Sequence, residues 1–234
     1  MVNWKEGNVQ KISIDPITRL EGHGKIEIFL NDEGDVANAY LAIPELRGFE
    51  KFCEGRPVEE LPRITPQICG VCPEAHHMAS AKACDAVYHV EVPSAGKKLR
   101  ELFYSAFYVA DHATHFYILG GPDFVMGPDA PVAQRNILGV IHKVGLEIGR
   151  KVIQSRGKAM DIIKMLGGRS VHPVCAIPGG MSKAIDEEER RQIEATARDS
   201  VEFAQFTLKL LNDVVLSNKQ YVDCLLYTSD AADE

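Results

Sequence analysis

The feature that most constrains this chain is a run of apolar residues at three- and four-residue intervals: Leu99, Leu102, Phe103, Ala106, Phe107, Ala110, Ala113 and Tyr117. That spacing puts them on one stripe of an α-helix, and a stripe so rich in aromatics must be buried against another element. The spacing predicts a helix from about Pro93, with Gly120-Gly121-Pro122 as its end. A second long helical stretch is expected from about Val132 to Leu166. Its internal glycines Gly139, Gly145, Gly149 and Gly157 lower helix propensity but permit close packing, and Gly167-Gly168 closes it. A last helix should start near Asp186, where Glu187-Glu188-Glu189 complements the positive end of the helix dipole. Its buried stripe reads as Ile193, Ala197, Val201, Ala204, Leu208, Leu211 and Val215.

Upstream the period changes. Residues 9 to 42 alternate apolar and polar (Ile12, Ile14; Ile26, Ile28, Leu30; Val36, Tyr40) around the turn cluster Asn31-Asp32-Glu33-Gly34-Asp35, the pattern of an antiparallel hairpin. The insert from Asp15 to Gly24 holds one proline and two glycines and is expected to be a loop. Pro73 suits the first position of a helix running through an Ala-rich stretch to about Val90, and the Pro- and Gly-rich segment 168–180 should be irregular. With no βαβ alternation, the expected class is α+β, predominantly helical, with a small N-terminal antiparallel sheet packed beside long helices. The expected division is 1–92, the sheet plus the first cysteine-motif helix, and 93–223, a helical bundle region.

Composition removes some functions. There are 26 Lys+Arg against 33 Asp+Glu, a net charge of −7, and no basic run with interleaved aromatics, so nucleic acid is not an expected partner. No stretch approaches the ~20 apolar residues that span a bilayer, and the N-terminus lacks an apolar signal region. No direct membrane insertion and a cytoplasmic location are therefore expected. Of 6 cysteines, too few for a disulfide scaffold, Cys69 and Cys72 form a Cys-x-x-Cys pair.

In Cys69-Gly70-Val71-Cys72-Pro73-Glu74-Ala75-His76-His77 two thiols lie one turn apart at a predicted helix start, where free amides and the dipole favour the metal-binding thiolate. Three readings compete with a dedicated metal site. Structural zinc wants a second local ligand pair, which does not follow at that distance. A thioredoxin-like redox pair wants a βαβ context. Two buried structural cysteines would also be unremarkable for this residue type.

Several further strings resemble one family together, the nickel-carrying large subunit of nickel-iron (NiFe) hydrogenases. These are Asp15-Pro16-Ile17-Thr18-Arg19-Leu20-Glu21-Gly22-His23, Arg47-Gly48-Phe49-Glu50, Ile68 to Cys72 followed by His76, Asp111-His112-Ala113-Thr114-His115-Phe116-Tyr117, and the loop from Gly168 to Gly180. The likeness spans about residues 11 to 223, and five motifs in order make coincidence improbable. The Cys-Gly-Val-Cys-Pro string and the 168–180 loop look more like the soluble cofactor-coupled or heterodisulfide-reductase-linked groups. Two departures stand out: Gln67 occupies a position where the family usually has Arg, and the family's second Cys-x-x-Cys pair, near its C-terminus, is absent. Cys224 has no partner, and 224–234 resembles translated adapter sequence, so the chain reads as an N-terminal fragment with a non-native tail.

The resemblance implies reversible heterolytic cleavage of H2 to protons and electrons. Cys69 would be a terminal nickel thiolate, and Cys72 would bridge nickel to an iron carrying CO and cyanide, soft ligands suited to such metals. His76, one turn on, would hydrogen-bond the bridging sulfur, its bland alternative being an ordinary helix histidine. Glu21 would accept the proton, or else merely cap its own turn. Glu50 would bind magnesium, or else sit on the surface. Asp111, on the flank of the apolar stripe, would stand above the metals or pair with Arg19 or Arg169. His77, His112, His115 and His172 read as packing or hydrogen-bonding residues. Electrons would pass to an iron-sulfur small subunit, then to further electron-transfer subunits, because no cluster-binding cysteine set is present here. Two other readings stay open: a metal-free relative of the complex I type that binds quinone, and a zinc-binding structural module.

Overall fold

The computed structural model describes residues 10–17, 20–45 and 48–223. Thr18, Arg19, Arg47 and the tail 224–234, with Cys224, lie outside the described residues, as does the part played by Arg19 and Arg47 in their motifs. The chain divides into two compact units between Glu54 and Gly55. The boundary expected at residue 92 is therefore displaced, because the cysteine-motif helix packs with the helix that follows it.

The first unit is the expected antiparallel sheet, with three strands in the order β1 (Lys11–Ile14), β2 (Lys25–Leu30) and β3 (Val36–Ala42). Its register sets Ile12 opposite Ile28 and Ile14 opposite Ile26. Lys11 reaches across to Glu27 at 2.9 Å. The β2–β3 turn closes through Asn31, whose N–H donates to the Asp35 carbonyl and whose Oδ1 accepts from the Asp35 N–H, with Gly34 at φ 89°. A short helix α1 (Phe49–Cys53) follows.

The second unit is helical. After a 3-10 turn (Val58–Glu60) come α2 (Leu61–Ile64), a second 3-10 turn (Thr65–Ile68), α3 (Pro73–Val87) and α4 (Ser94–Thr114). α3 stops three residues short of the expected Val90, with His89 at φ 52° turning the chain. Along α4 the buried residues include Phe103, Ala106, Phe107, Ala110 and Ala113, as the periodicity requires. Most of this stripe joins the main core, where Phe103, Ala106 and Phe107 meet Met78 and Ala81 of α3 and Ile162, Ile163 and Leu166 from further along the chain.

Gly120-Gly121-Pro122 does not end this run. The helix widens to a π-helical segment, His115–Gly120, and continues as α5 (Gly121–Met126). Pro122 lacks the N–H that a carbonyl four residues back would take, and the wider turn carries the chain past that gap. The stretch expected from Val132 to Leu166 is two helices, α6 (Ile137–Val144) and α7 (Leu146–Gly167). Asn136 starts α6 by accepting from the Leu138 and Gly139 N–H groups, and Gly145, at φ 95°, breaks the run where only glycine is comfortable. Gly168 ends α7 in the left-handed region, its N–H on the Lys164 carbonyl at 2.8 Å.

Segment 168–180 is irregular except for a two-residue ladder, β4 (Ala176–Ile177) with β5 (Gly180–Met181), joined by Pro178 and a left-handed Gly179. A buried Arg100 of α4 holds this hairpin. It donates to the carbonyls of Ile177 (2.8 Å) and Gly180 (3.1 Å) and pairs with Asp85 of α3 (2.5 Å), which also accepts from the Gly179 N–H (2.7 Å).

The last helix, α8 (Glu187–Leu211), starts with a capping box between Asp186 and Glu189 and runs into a second π-helical segment, Asn212–Leu216. Its buried face matches the expected stripe only at the ends: Ile193 and Val215 are buried, but Val201 is 57% exposed and Leu208 64%, while Phe203, off the stripe, is buried. Phe203 stacks on Tyr117 at 5.6 Å, and the Tyr117 hydroxyl meets Thr207 Oγ1 at 2.7 Å. Burying two rings and a phenol partner outweighs burying the aliphatic row beside them, so the helix turns Ala197, Val201, Ala204 and Leu208 outward.

Candidate metal centre

The cysteine motif folds as its local sequence requires. Cys72 caps α3 and Pro73 occupies the first helical turn, where its missing N–H is no loss. Cys69 is extended (φ −135°, ψ 133°) and buried, which turns its sulfur back toward the helix start. The two Sγ atoms lie 2.9 Å apart. The Cys72 N–H (3.2 Å) and the Val71 N–H (3.4 Å) point at Cys69 Sγ, a setting suited to a sulfur that carries negative charge on a metal. One turn on, His76 brings a ring nitrogen to the pair, and the three ligand atoms lie within 4.8 Å of one another. Among the described residues this is the one such group of three or more.

Against the outer wall of the motif lies a cavity of about 130 Å³ lined by Gly70, Val71, Glu74, Asp111, Thr114 and Arg156, among others. Asp111 thus shares a cavity with the cysteine loop. Arg19 lies outside the described residues, and it is Arg156 that reaches this wall, donating to Thr114 Oγ1 at 2.9 Å. Glu74, which the sequence reading passed over, is 2% exposed. Burial pushes its carboxyl up from the ordinary range, and the nearby Asp111 adds to the rise against the pull of its own helix amides and of Arg156. Its signal in the sequence is an acid in the first turn of a helix, two residues beyond a metal-type cysteine.

Two other candidates belong to the first unit. Glu21, in the bend beside Gly22 (φ 79°), and Glu50, in the first turn of α1, are exposed residues there. Gln67 is exposed. His112 donates from Nδ1 to the Tyr108 carbonyl (2.9 Å) and His172 to the Pro66 carbonyl (2.9 Å), hydrogen-bonding roles as expected. His77 is wholly buried; Nδ1 lies 2.6 Å from the Pro62 carbonyl, and Nε2 accepts from the Cys175 (3.1 Å) and Ala176 (2.9 Å) N–H groups. Cys84 donates its thiol to the Val58 carbonyl, and burial pushes the Cys175 thiol up to about 12, so neither offers a thiolate.

Two sulfurs with an imidazole fit a soft, thiophilic metal such as nickel, whereas a closed structural zinc site takes four ligands. Comparison with known proteins agrees. The nickel-dependent hydrogenase family matches residues 47–139, and a HoxL-like family matches residues 11–46. The chain is 50% identical over 222 residues to an F420-non-reducing hydrogenase iron-sulfur subunit of Archaeoglobus profundus, covering 95% of this chain and 45% of that protein. It is 46% identical over 213 residues to a vhu subunit of the F420-non-reducing hydrogenase of Methanocaldococcus jannaschii, covering 91% and 50%. In structure it is similar to an NAD+-reducing nickel-iron hydrogenase in the H2-reduced state, with TM-score 0.78 and 36% identity over 88% of this chain and 46% of that one. The chain thus spans about half the length of the relatives it matches. With its cysteine motif inside the matched region and its helical fold shared with these enzymes, the chain belongs to the nickel-dependent hydrogenase family.

Proposed function

We propose that this chain is part of the large subunit of a nickel-iron hydrogenase that cleaves H2 reversibly and heterolytically. The observation that carries this reading is the grouping of Cys69, Cys72 and His76 at the start of α3. Cys69 and Cys72 would hold the metals, Cys69 on nickel and Cys72 shared between nickel and an iron bearing CO and cyanide. When bound, the centre supplies the polarisation of H2 and takes up its electrons.

The chain's own residues do the rest. The Val71 and Cys72 amides stabilise charge on the Cys69 sulfur, and His76 tunes the sulfur beside it. Asp111 and Glu74 line the cavity beside the loop together with Thr114 and Arg156, polar groups set among Phe107, Ala110 and Met160. Glu21, which is exposed rather than the buried carboxylate expected, would take the proton. Glu50 would bind magnesium through carboxylate oxygen. Electrons would leave to an iron-sulfur small subunit, then to further electron-transfer subunits; the relatives' designation as subunits supports a multi-chain enzyme. A cytoplasmic setting, which keeps thiols reduced, suits a Cys69–Cys72 pair that holds metal as thiolates.

Metal analysis of the longer protein, purified with its partner, tests the reading. Nickel and iron together with H2 uptake support it, and both should be lost in Cys69→Ser and Cys72→Ser. Zinc alone would establish a structural module, and no metal at all a quinone-site relative.

A further inference from the structure

Two prolines four residues apart create a specific deficit just before the cysteine loop. In α2 and the 3-10 turn after it, the helical partner of the Pro62 carbonyl would be the N–H of residue 66, and residue 66 is proline. A buried carbonyl left without a donor is unfavourable, so one must come from elsewhere. His77 supplies it. The Pro62 carbonyl can only accept, so the Nδ1 facing it at 2.6 Å carries the hydrogen, and the opposite nitrogen is left to accept from the Cys175 and Ala176 amides. Both donors come from β4 and the residue before it, nearly a hundred residues downstream. Phe103 closes the edge of the imidazole at 6.3 Å between centroids, so the ring is held in place by packing as well as by hydrogen bonds.

The consequence falls on Cys69–Cys72. That loop is bounded by the Thr65–Ile68 turn on one side and by α3 on the other. The two boundaries are held together from within by Thr65 Oγ1, whose one hydrogen is shared between the carbonyls of Leu61 (3.0 Å) and His76 (3.2 Å), and by His77 reaching Pro62. They are tied from outside by the Cys175 and Ala176 amides on His77 and by His172 on the Pro66 carbonyl. How far apart the ends of the loop stand decides whether the two sulfurs can share one metal.

We propose that His77 is a positioning residue for the cysteine loop: its Nδ1–H replaces the donor that Pro66 lacks, and its Nε2 anchors the same loop to β4. The inference rests on the reading of Cys69 and Cys72 as metal ligands. Glutamine at this position can also donate from one atom and accept at another, whereas phenylalanine keeps the bulk and loses both bonds.

The test compares His77→Gln and His77→Phe with the parent in the longer protein purified with its partner. It measures amide hydrogen exchange, nickel content, and the infrared bands of CO and cyanide. His77→Phe should speed exchange at Cys175 and Ala176 about tenfold, the scale of one lost hydrogen bond. The Val71 and Cys72 amides should follow, with shifted or broadened infrared bands in whatever nickel is retained. His77→Gln should restore exchange and bands toward the parent. Faster exchange confined to Cys175 and Ala176, with Val71, Cys72 and the bands unchanged, would overturn the proposal by reducing His77 to an anchor for β4. If His77→Phe does not fold, nitrogen-15 shifts of labelled histidine in the parent decide: hydrogen on Nδ1 supports the proposal and hydrogen on Nε2 overturns it. A parent that binds no nickel would instead refute the metal reading, and the exchange arm would still report on His77.

Discussion

The clamp of Asp85 and Arg100 on the β4–β5 hairpin is open to a direct energetic test. The Arg100 side chain is 8% exposed and that of Asp85 14%, so water screens the pair poorly. In Asp85→Asn the Gly179 N–H keeps an acceptor, but the guanidinium loses its counter-charge and is left with the carbonyls of Ile177 and Gly180. Stranding one member of a buried ion pair costs about 3–5 kcal/mol. Against a total stability of about 5–15 kcal/mol, that is a large share, and it corresponds to a fall in Tm of roughly 6–20 °C for a chain of this size. Arg100→Met strands the carboxylate instead and should cost about 3 kcal/mol. The double variant removes both charges, so its loss should fall short of the sum by about 1–3 kcal/mol. Urea unfolding of the four proteins at neutral pH measures this, with unchanged m-values as the sign that the unfolded state is not being altered. Additivity to within about 0.5 kcal/mol would show that the two charges do not feel one another and would refute the argument from burial.

Three further outcomes follow from the same geometry. Burial, aided by the charge of Arg100 and opposed by the bond to Pro62, holds the His77 imidazole below its ordinary value. Its contribution to stability is therefore complete above about pH 6.5 and is lost as pH falls through the lowered value; urea midpoints from about pH 7.5 to 5 should fall more steeply in the parent than in His77→Gln. Phe103→Ala empties the centre of the main core and should cost about 3–5 kcal/mol in the same assay, with a loss under about 1 kcal/mol showing that the core collapses around the gap. In the complete enzyme, Glu21→Gln should lower H2 turnover and exchange with solvent protons by roughly 10² to 10⁴ while para/ortho conversion of H2 persists; near-normal solvent exchange would return Glu21 to the role of a turn carboxylate.

What could be read from sequence was what a single element decides for itself. The stripe from Phe103 to Ala113 is buried because those residues leave α4 no other stable face. Cys72 and His76 come together because one helical turn separates them and Pro73 fixes where the helix begins, and Cys69 joins them through the bend at residues 70–72. Gly145 was ambiguous, since a glycine in a helical run can serve packing or a break, and only its φ of 95° distinguishes the two. The burial of Glu74 was illegible for another reason: Phe107 and Ala110 of α4, and Met160 of α7, help to wall its cavity.

The outward turn of Val201 and Leu208 shows how such errors arise. By hydropathy their row on α8 is a good buried stripe, yet the helix takes the orientation that stacks Phe203 on Tyr117 and gives the phenol Thr207. A partner 90 residues away in sequence selects the face, and no local period contains it. Pro62 and Pro66 present the same problem in polar form. The missing N–H can be read from the sequence alone, so the need for a donor is local information. Which group meets the need is not, because His77 satisfies Pro62 from 15 residues away, and His172, 106 residues away, adds a second donor to the Pro66 carbonyl beside the Cys69 N–H. The cysteine loop lies between these two long-range bonds, so its two thiols are legible in the sequence while the distance between the ends of the loop is set by the tertiary fold.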